Sequence, residues 1–256
     1  MRTLKIGILV AGALALLGVV NSASAQGWGN IKGQVAWAGD VPKERQIKVD
    51  KDQAHCLSKG AIVDDELVVD TKTKGVKNVM VWLAPLQPSD KLPIHPNLKA
   101  VPKEKVVIDQ PCCMFVPRIT MMREGQTLHV NNPAPVLHNA KISGRPEVNG
   151  TVNLAIPAGQ SLEKQFRAER RPMLLGCDVH GWMKGRIGVF DHPYFALTRD
   201  DGTFEIKDAP AGTFKIFLQH EKTGWVHKGN TSAGQEITIK AGGTLDLGKY
   251  DMKDQN

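Results

Sequence analysis

The chain has 256 residues, of which 41% are hydrophobic, 5% aromatic and 23% charged. That mixed, non-repeating composition excludes collagen, coiled coil and wholesale disorder, and the length suffices for one large or two small cores. The 33 basic and 26 acidic residues leave a formal charge of +7, but no dense basic stripe interleaved with aromatics occurs, so no nucleic-acid partner is expected.

In chain order, residues 1–25 read as an export leader. Arg2 and Lys5 precede an apolar run from Ile6 to Val20, and Ala23-Ser24-Ala25 is a small-x-small cleavage site before Gln26. A run of about 15 residues is short of the ~20 that span a bilayer. The mature chain is therefore expected to have no membrane span and to be periplasmic or secreted.

The rest reads as all-β. Strand patterns occupy Ile31–Trp37, Leu67–Asp70, Val76–Leu83, Lys105–Ile108, Thr127–Asn131, Gly185–Phe190, Thr203–Lys207, Thr213–His220 and Glu236–Lys240. Turn residues separate them, as in Ala38-Gly39-Asp40, Asp200-Asp201-Gly202 and Ala241-Gly242-Gly243. Ser161–Arg170 fits a short helix or a strand equally well. Pro85–Pro102, with five prolines, reads as an extended loop. A fresh strand–turn–strand pattern starts after Asp191-His192-Pro193, which divides the mature chain into 26–190 and 191–256, each long enough for a β-sandwich.

Export sets the cysteine chemistry. In an oxidising compartment thiols pair unless they bind metal or react. Vicinal Cys112 and Cys113 strain a mutual bond, so one of them is expected to bridge to Cys56, leaving Cys177 unpaired. Cys177 opens the stretch Cys177-Asp178-Val179-His180-Gly181-Trp182-Met183, where Cys, His and Met recur at intervals of three. A thiolate and an imidazole bind several metals, whereas a thioether selects soft ones, chiefly copper. His138, after the turn at Pro133–Pro135, is the candidate fourth ligand. Two His, one Cys and a weak axial Met form a blue-copper electron-transfer set. Zinc is the rival, but a closed zinc site prefers a further Cys, His or carboxylate to Met. Met173 and Gly181 stand where a binuclear centre would need its second Cys. Asn139 is placed to hydrogen-bond across to the ligand loop, and Trp182 either shields the metal, lines a docking patch or packs beneath the loop. His55, His95, His129, His192, His220 and His227 form no His-x-His or His-Glu-x-x-His pattern, which disfavours multicopper oxidases and zinc proteases.

Val130-Asn131-Asn132, Leu137-His138-Asn139 and Cys-x-x-His-x-x-Met together resemble the cupredoxins, particularly the amicyanin and plastocyanin group; the interval from His180 to Met183 is the amicyanin form. The resemblance covers about Arg118 to Phe190 and implies a Greek-key β-sandwich with one type-1 copper. Gly33-Gln34-Val35, Asn78 through Leu83, Asp109 through Pro117 and His192-Pro193-Tyr194 are similar to exported bacterial plastocyanin-like or methylamine-utilisation-type proteins. In those a cupredoxin is followed by a carboxypeptidase-regulatory, transthyretin-like β-sandwich, whose motifs Asp201–Ile206 and Pro210–Phe214 resemble. The same resemblance implies Cys113, two residues before Phe115, as the partner of Cys56, and leaves Cys112 without an assigned role.

The expected function is one-electron transfer by a single type-1 copper, with a redox protein as partner and no catalysis, since a fully ligated copper leaves no position for substrate. Two other classes are compatible with the sequence: periplasmic copper storage or delivery, and a β-sandwich adaptor with a vestigial metal site. Delivery proteins favour exposed Met or His clusters, and Met114, Met121 and Met122 are too few and too scattered for one.

Overall fold

β-Branched and aromatic residues alternating with polar ones, cut by glycine-bearing turns, make strands the dominant regular structure of the described residues. The computed structural model describes residues 26–253 except 228 and 230; the expected leader lies outside the described residues. The strands are β1 (Trp28–Trp37), β2 (Met80–Ala84), β3 (Val106–Asp109), β4 (Ile119–Arg123), β5 (Leu128–Asn131), β6 (His138–Ser143), β7 (Thr151–Ile156) and β8 (Ser161–Lys164). They continue with β9 (Met173–Gly176), β10 (Lys184–Phe190), β11 (Phe195–Leu197), β12 (Thr203–Pro210), β13 (Gly212–His220), β14 (Gly224–Trp225), β15 (Gln235–Ile239) and β16 (Thr244–Met252). One helical turn, α1 (Gln53–Cys56), lies in the long connection between β1 and β2, and the proline-rich loop holds a short 3-10 turn at Pro96–Leu98. The ambiguous Ser161–Arg170 opens as strand β8. Leu67–Asp70 forms no strand and contributes a single bridge, Val69 to Val76.

Among the described residues, four sheets stack in two pairs. In the first pair, β4-β10-β9-β6-β7 faces β3-β5-β8. Met122, Ala140, Ile142, Ile156, Met173, Leu175, Ile187 and Val189 from one sheet meet Ile108, Leu128 and Val130 from the other, and Cys177 and Met183 sit in the same core. In the second pair, β12-β1-β16 faces β11-β2-β13-β14, with β15 on β13. Ile31, Val35, Phe204, Ile206, Tyr250 and Met252 pack there against Val81, Leu83, Ile216, Leu218, Ile237 and Ile239.

The sheets do not follow the division of the sequence at Asp191. β1 lies between β12 and β16, antiparallel to the first and parallel to the second. β2 lies between β11 and β13. The first two strands therefore complete the sandwich made mostly of residues 195–252, and the metal-ligand strands are threaded between β2 and β11. The physical reason is burial: β1 and β2 are apolar on the face that β12, β13 and β15 need covered, and an edge-exposed sheet is unstable alone. Gly202 makes the closure possible, because a Cβ there would stand 2.0 Å from the carbonyl oxygen of Val35, and its φ of 75° suits glycine.

The sandwiches meet through a small apolar cluster of Met80, Trp82, Ile119 and Phe190, and through a buried ion-pair junction. Arg118, 6% exposed, donates to Asp65 and Glu221 at 2.6 Å each, with Arg186 3.7 Å from Glu221.

Two histidines beside these contacts are buried neutral. Burial first, then Arg123, holds His192 down to about 4 against the opposing pull of Asp191. Burial, then Arg118 and Lys222, holds His220 down to about 4. The unfolded state takes up their protons near 6.5, so this stability is full above pH 6.5 and is lost as pH falls towards 4. Urea denaturation at pH 5 is expected to show a loss of up to about 2 kcal/mol per histidine relative to pH 7. The lowered carboxyls Asp70, Asp201 and Asp246 titrate below that window. A pH-independent midpoint between 7 and 5 would contradict the assignment.

Cys56 and Cys113 form a disulfide, with Cα atoms 5.4 Å apart across a sequence separation of 57. It pins α1 to the loop after β3. Closing so long a loop stabilises the fold by about 4 kcal/mol on the chain-entropy argument. A Cys56→Ser/Cys113→Ser chain should lose about that much in urea denaturation, and an unchanged midpoint would show that α1 is held by packing alone.

Candidate metal centre

The centre is assembled at one end of the first sandwich from two loops. His138 is the first residue of β6, paired with Ile156 of β7. The turn before it is set by Asn132, whose Nδ2 donates to the carbonyls of Val136 at 2.9 Å and Ile156 at 2.7 Å, while its Oδ1 accepts from Ala134 N at 3.1 Å. The second loop, 177–183, links β9 to β10 and closes on itself: Met183 N donates to His180 O at 2.9 Å and Cys177 N to Met183 O at 3.2 Å. That turn brings Met183 back beside Cys177 in the chain's path, with His180 between them.

The result is convergent. One ligand atom each from His138, Cys177 and His180 lie within 4.8 Å of one another, all buried. The two Nδ1 atoms face each other at 2.9 Å. Met183, 1% exposed, is buried in the core that holds Cys177. Cys177 carries no disulfide. Burial first, then the rings of His180 and His55, holds His138 down to about 4, so it is a neutral lone-pair donor at pH 7.

Asn139 ties the loops together. Its Oδ1 accepts from Cys177 Sγ at 3.1 Å, Asp178 N at 2.7 Å and Val179 N at 3.2 Å, and its Nδ2 donates to Asn153 Oδ1 at 2.6 Å. His180 N donates to Cys177 Sγ at 3.4 Å, which ties the loop backbone to the sulfur. Trp182 is partly buried; its Nε1 donates to Cys113 O at 3.0 Å, and its ring lies 5.2 Å from that of His180.

Sequence reasoning missed Asp52. Its Oδ2 lies 2.8 Å from His180 Nε2. Nothing local marks Asp52, which stands 128 residues upstream in a charged, turn-forming stretch; only the expected bridge at Cys56 hinted that this stretch reaches the centre. Among the remaining histidines, His55 has a buried Nε2 without a hydrogen-bond partner. His129 pairs with Glu163 at 3.2 Å, His95 caps the 3-10 turn, and His192 and His220 accept backbone N–H bonds at their Nδ1 atoms. Cys112 is a partly buried free thiol.

The donor set fits a soft metal ion. With its Nε2 turned to a carboxylate, which can only accept, His180 has its lone pair on Nδ1, 2.9 Å from Nδ1 of His138. Two imidazole nitrogens and one sulfur aimed at a common point, with a buried thioether in the same loop, suit copper better than zinc or a hard cation.

Among the described residues, no helix is long and apolar enough to cross a membrane. No family model and no curated protein matches the chain. Solved structures similar to part of it include the Cu(I) form of an amicyanin mutant, at 16% identity and TM-score 0.31 over 43% of this chain and 97% of that one. A purple cupredoxin from Nitrosopumilus maritimus matches at 20% identity and TM-score 0.28, over 32% of this chain and 97% of that one. A copper-containing nitrite reductase from Thermus scotoductus matches at 21% identity and TM-score 0.30, over 42% of this chain and 27% of that one.

Proposed function

We propose that this protein is an exported electron carrier with one type-1 copper, which would be held by His138, Cys177 and His180 with the Met183 thioether as a weaker fourth donor. The observation that carries the reading is the convergence of two imidazoles, their Nδ1 atoms 2.9 Å apart, with a buried, unbridged thiol. Copper supplies one-electron chemistry at such a site, with a potential tuned by the thiolate and the axial donor. The chain's own residues hold the geometry. Asn139 fixes the ligand loop through three bonds, Asn132 fixes the turn that presents His138, and burial of all four ligands excludes water. A site held from both sides in this way changes little when an electron arrives or leaves, which favours transfer over storage or delivery. Full enclosure also leaves no place for a substrate, so no catalysis is assigned.

Export by a leader ending at Ala25 and a redox protein as the electron-exchange partner complete the proposal. The test is the visible absorption and electron paramagnetic resonance of the copper(II)-loaded chain, with reversible one-electron voltammetry. Intense colour with a narrow copper hyperfine splitting supports the reading. A colourless copper complex, or copper lost on reduction, would replace it by metal handling.

A further inference from the structure

Asp52 stands at the N-cap of α1, where a carboxylate ordinarily accepts a bond from a backbone N–H of the first turn. Here it makes no such bond, and its backbone adopts φ 48°, ψ 38°, a left-handed conformation. His55 N and Cys56 N donate instead to its carbonyl oxygen, at 3.0 and 2.9 Å. The side chain is thereby free to turn inward to His180 Nε2. Four residues on, Cys56 is locked to Cys113, and the carbonyl of Cys113 receives the indole of Trp182. The ligand loop is therefore gripped from outside at two of its residues, His180 and Trp182, by elements tied to one disulfide. Asn139 grips it from inside.

We propose that Asp52 is a positioning residue for His180. Its carboxylate holds the proton on Nε2 and the lone pair on Nδ1, fixes the ring plane, and closes the outer edge of the imidazole, which is fully buried. A carboxylate–histidine–metal relay of this kind raises ligand basicity and places a negative charge next to the ligand set. The proposal rests on the electron-carrier reading only for the identity of the ion; the orientation of His180 belongs to the metal-free chain as well.

The experiment compares the full chain with its Asp52→Ala and Asp52→Asn variants at one fixed pH. In the metal-free protein, nitrogen-15 NMR is expected to show His180 as a single Nε2–H tautomer in the parent and in Asp52→Asn, whose amide oxygen still accepts. Asp52→Ala should show a tautomer mixture. Cu(I) affinity, measured by competition with a chromophoric chelator, should fall about 10–100-fold in Asp52→Ala and stay within a few-fold in Asp52→Asn. The copper-loaded Asp52→Asn chain should have a higher reduction potential than the parent, since a negative charge that favours Cu(II) is gone. A contact that merely packs α1 would move neither tautomer nor potential. An unchanged tautomer in Asp52→Ala, or Asp52→Asn behaving as Asp52→Ala, would overturn the proposal. If the tautomer pattern is as expected but the chain takes no copper, the electron-carrier reading fails and the positioning role stands.

Discussion

A Cys177→Ser chain loaded with copper(II) is expected to lose its intense visible band completely. The band requires a thiolate donor, and a serine hydroxyl is a hard, weakly acidic group that stays protonated at neutral pH. The substitution is nearly isosteric, and its hydroxyl can keep the bond that Cys177 Sγ makes to Asn139 Oδ1 at 3.1 Å. The fold should therefore survive with a urea midpoint close to the parent's, and the loss will be one of chemistry. Cu(I) affinity should fall by more than the roughly 10–100-fold typical of an outer contact, because the strongest donor itself is gone. A variant that retained colour would place the chromophore elsewhere, with Cys112 the free thiol to examine next.

The second large effect concerns the chain ended after Phe190. Such a chain keeps every proposed metal ligand, yet it is expected not to fold cooperatively. It lacks β12 and β16, which flank β1, and β11 and β13, which flank β2. Ile31, Val35, Val79, Val81 and Leu83, all 0% exposed in the full chain, would face water. At about 1.5–3 kcal/mol for each side chain, that loss is comparable to the ~5–15 kcal/mol total stability of a typical domain. It would also bare two unpaired strands, a template for aggregation. Size-exclusion chromatography and urea denaturation of the 26–190 fragment check this. A monomer with a sharp transition would show that β1 and β2 are accessory to the metal sandwich, as a boundary at Asp191 assumes.

What was legible in the sequence follows from range. The Cys177–Met183 loop could be read because its three candidate ligands fall within seven residues and one turn brings them together. β1, β2, β3, β5, β10, β12, β13 and β15 could be read from β-branched alternation. β4 could not, since Ile119 faces the junction between sandwiches while Met122 faces the metal core, so that apolar residues lie on both sides and erase the period. β16 was hidden by its polar residues: Asp246, Gly248, Lys249 and Asp251 interrupt Leu245, Leu247, Tyr250 and Met252. The restart after Asp191 is a true local feature, but which strands pair with it is decided by partners more than a hundred residues away. Asp52 and His180 are the same kind of case: a contact between distant segments has no local pattern to betray it.

The parallel pairing of β1 with β16 has a mechanical consequence. Register runs from Asn30 opposite Thr244 to Trp37 opposite Met252, so tension applied at Gly27 and Lys253 pulls the two strands lengthwise past each other. Their hydrogen bonds then resist together, and none can be peeled open singly. The metal-ligand strands leave the second sandwich after β2 and return at β11, two strands that are themselves paired, with Trp82 opposite Phe195. They hang from that ladder outside the path of the tension. A pull between these two ends should rupture β1 from β16 first, with the ligand geometry around Cys177 still undistorted at the moment of rupture.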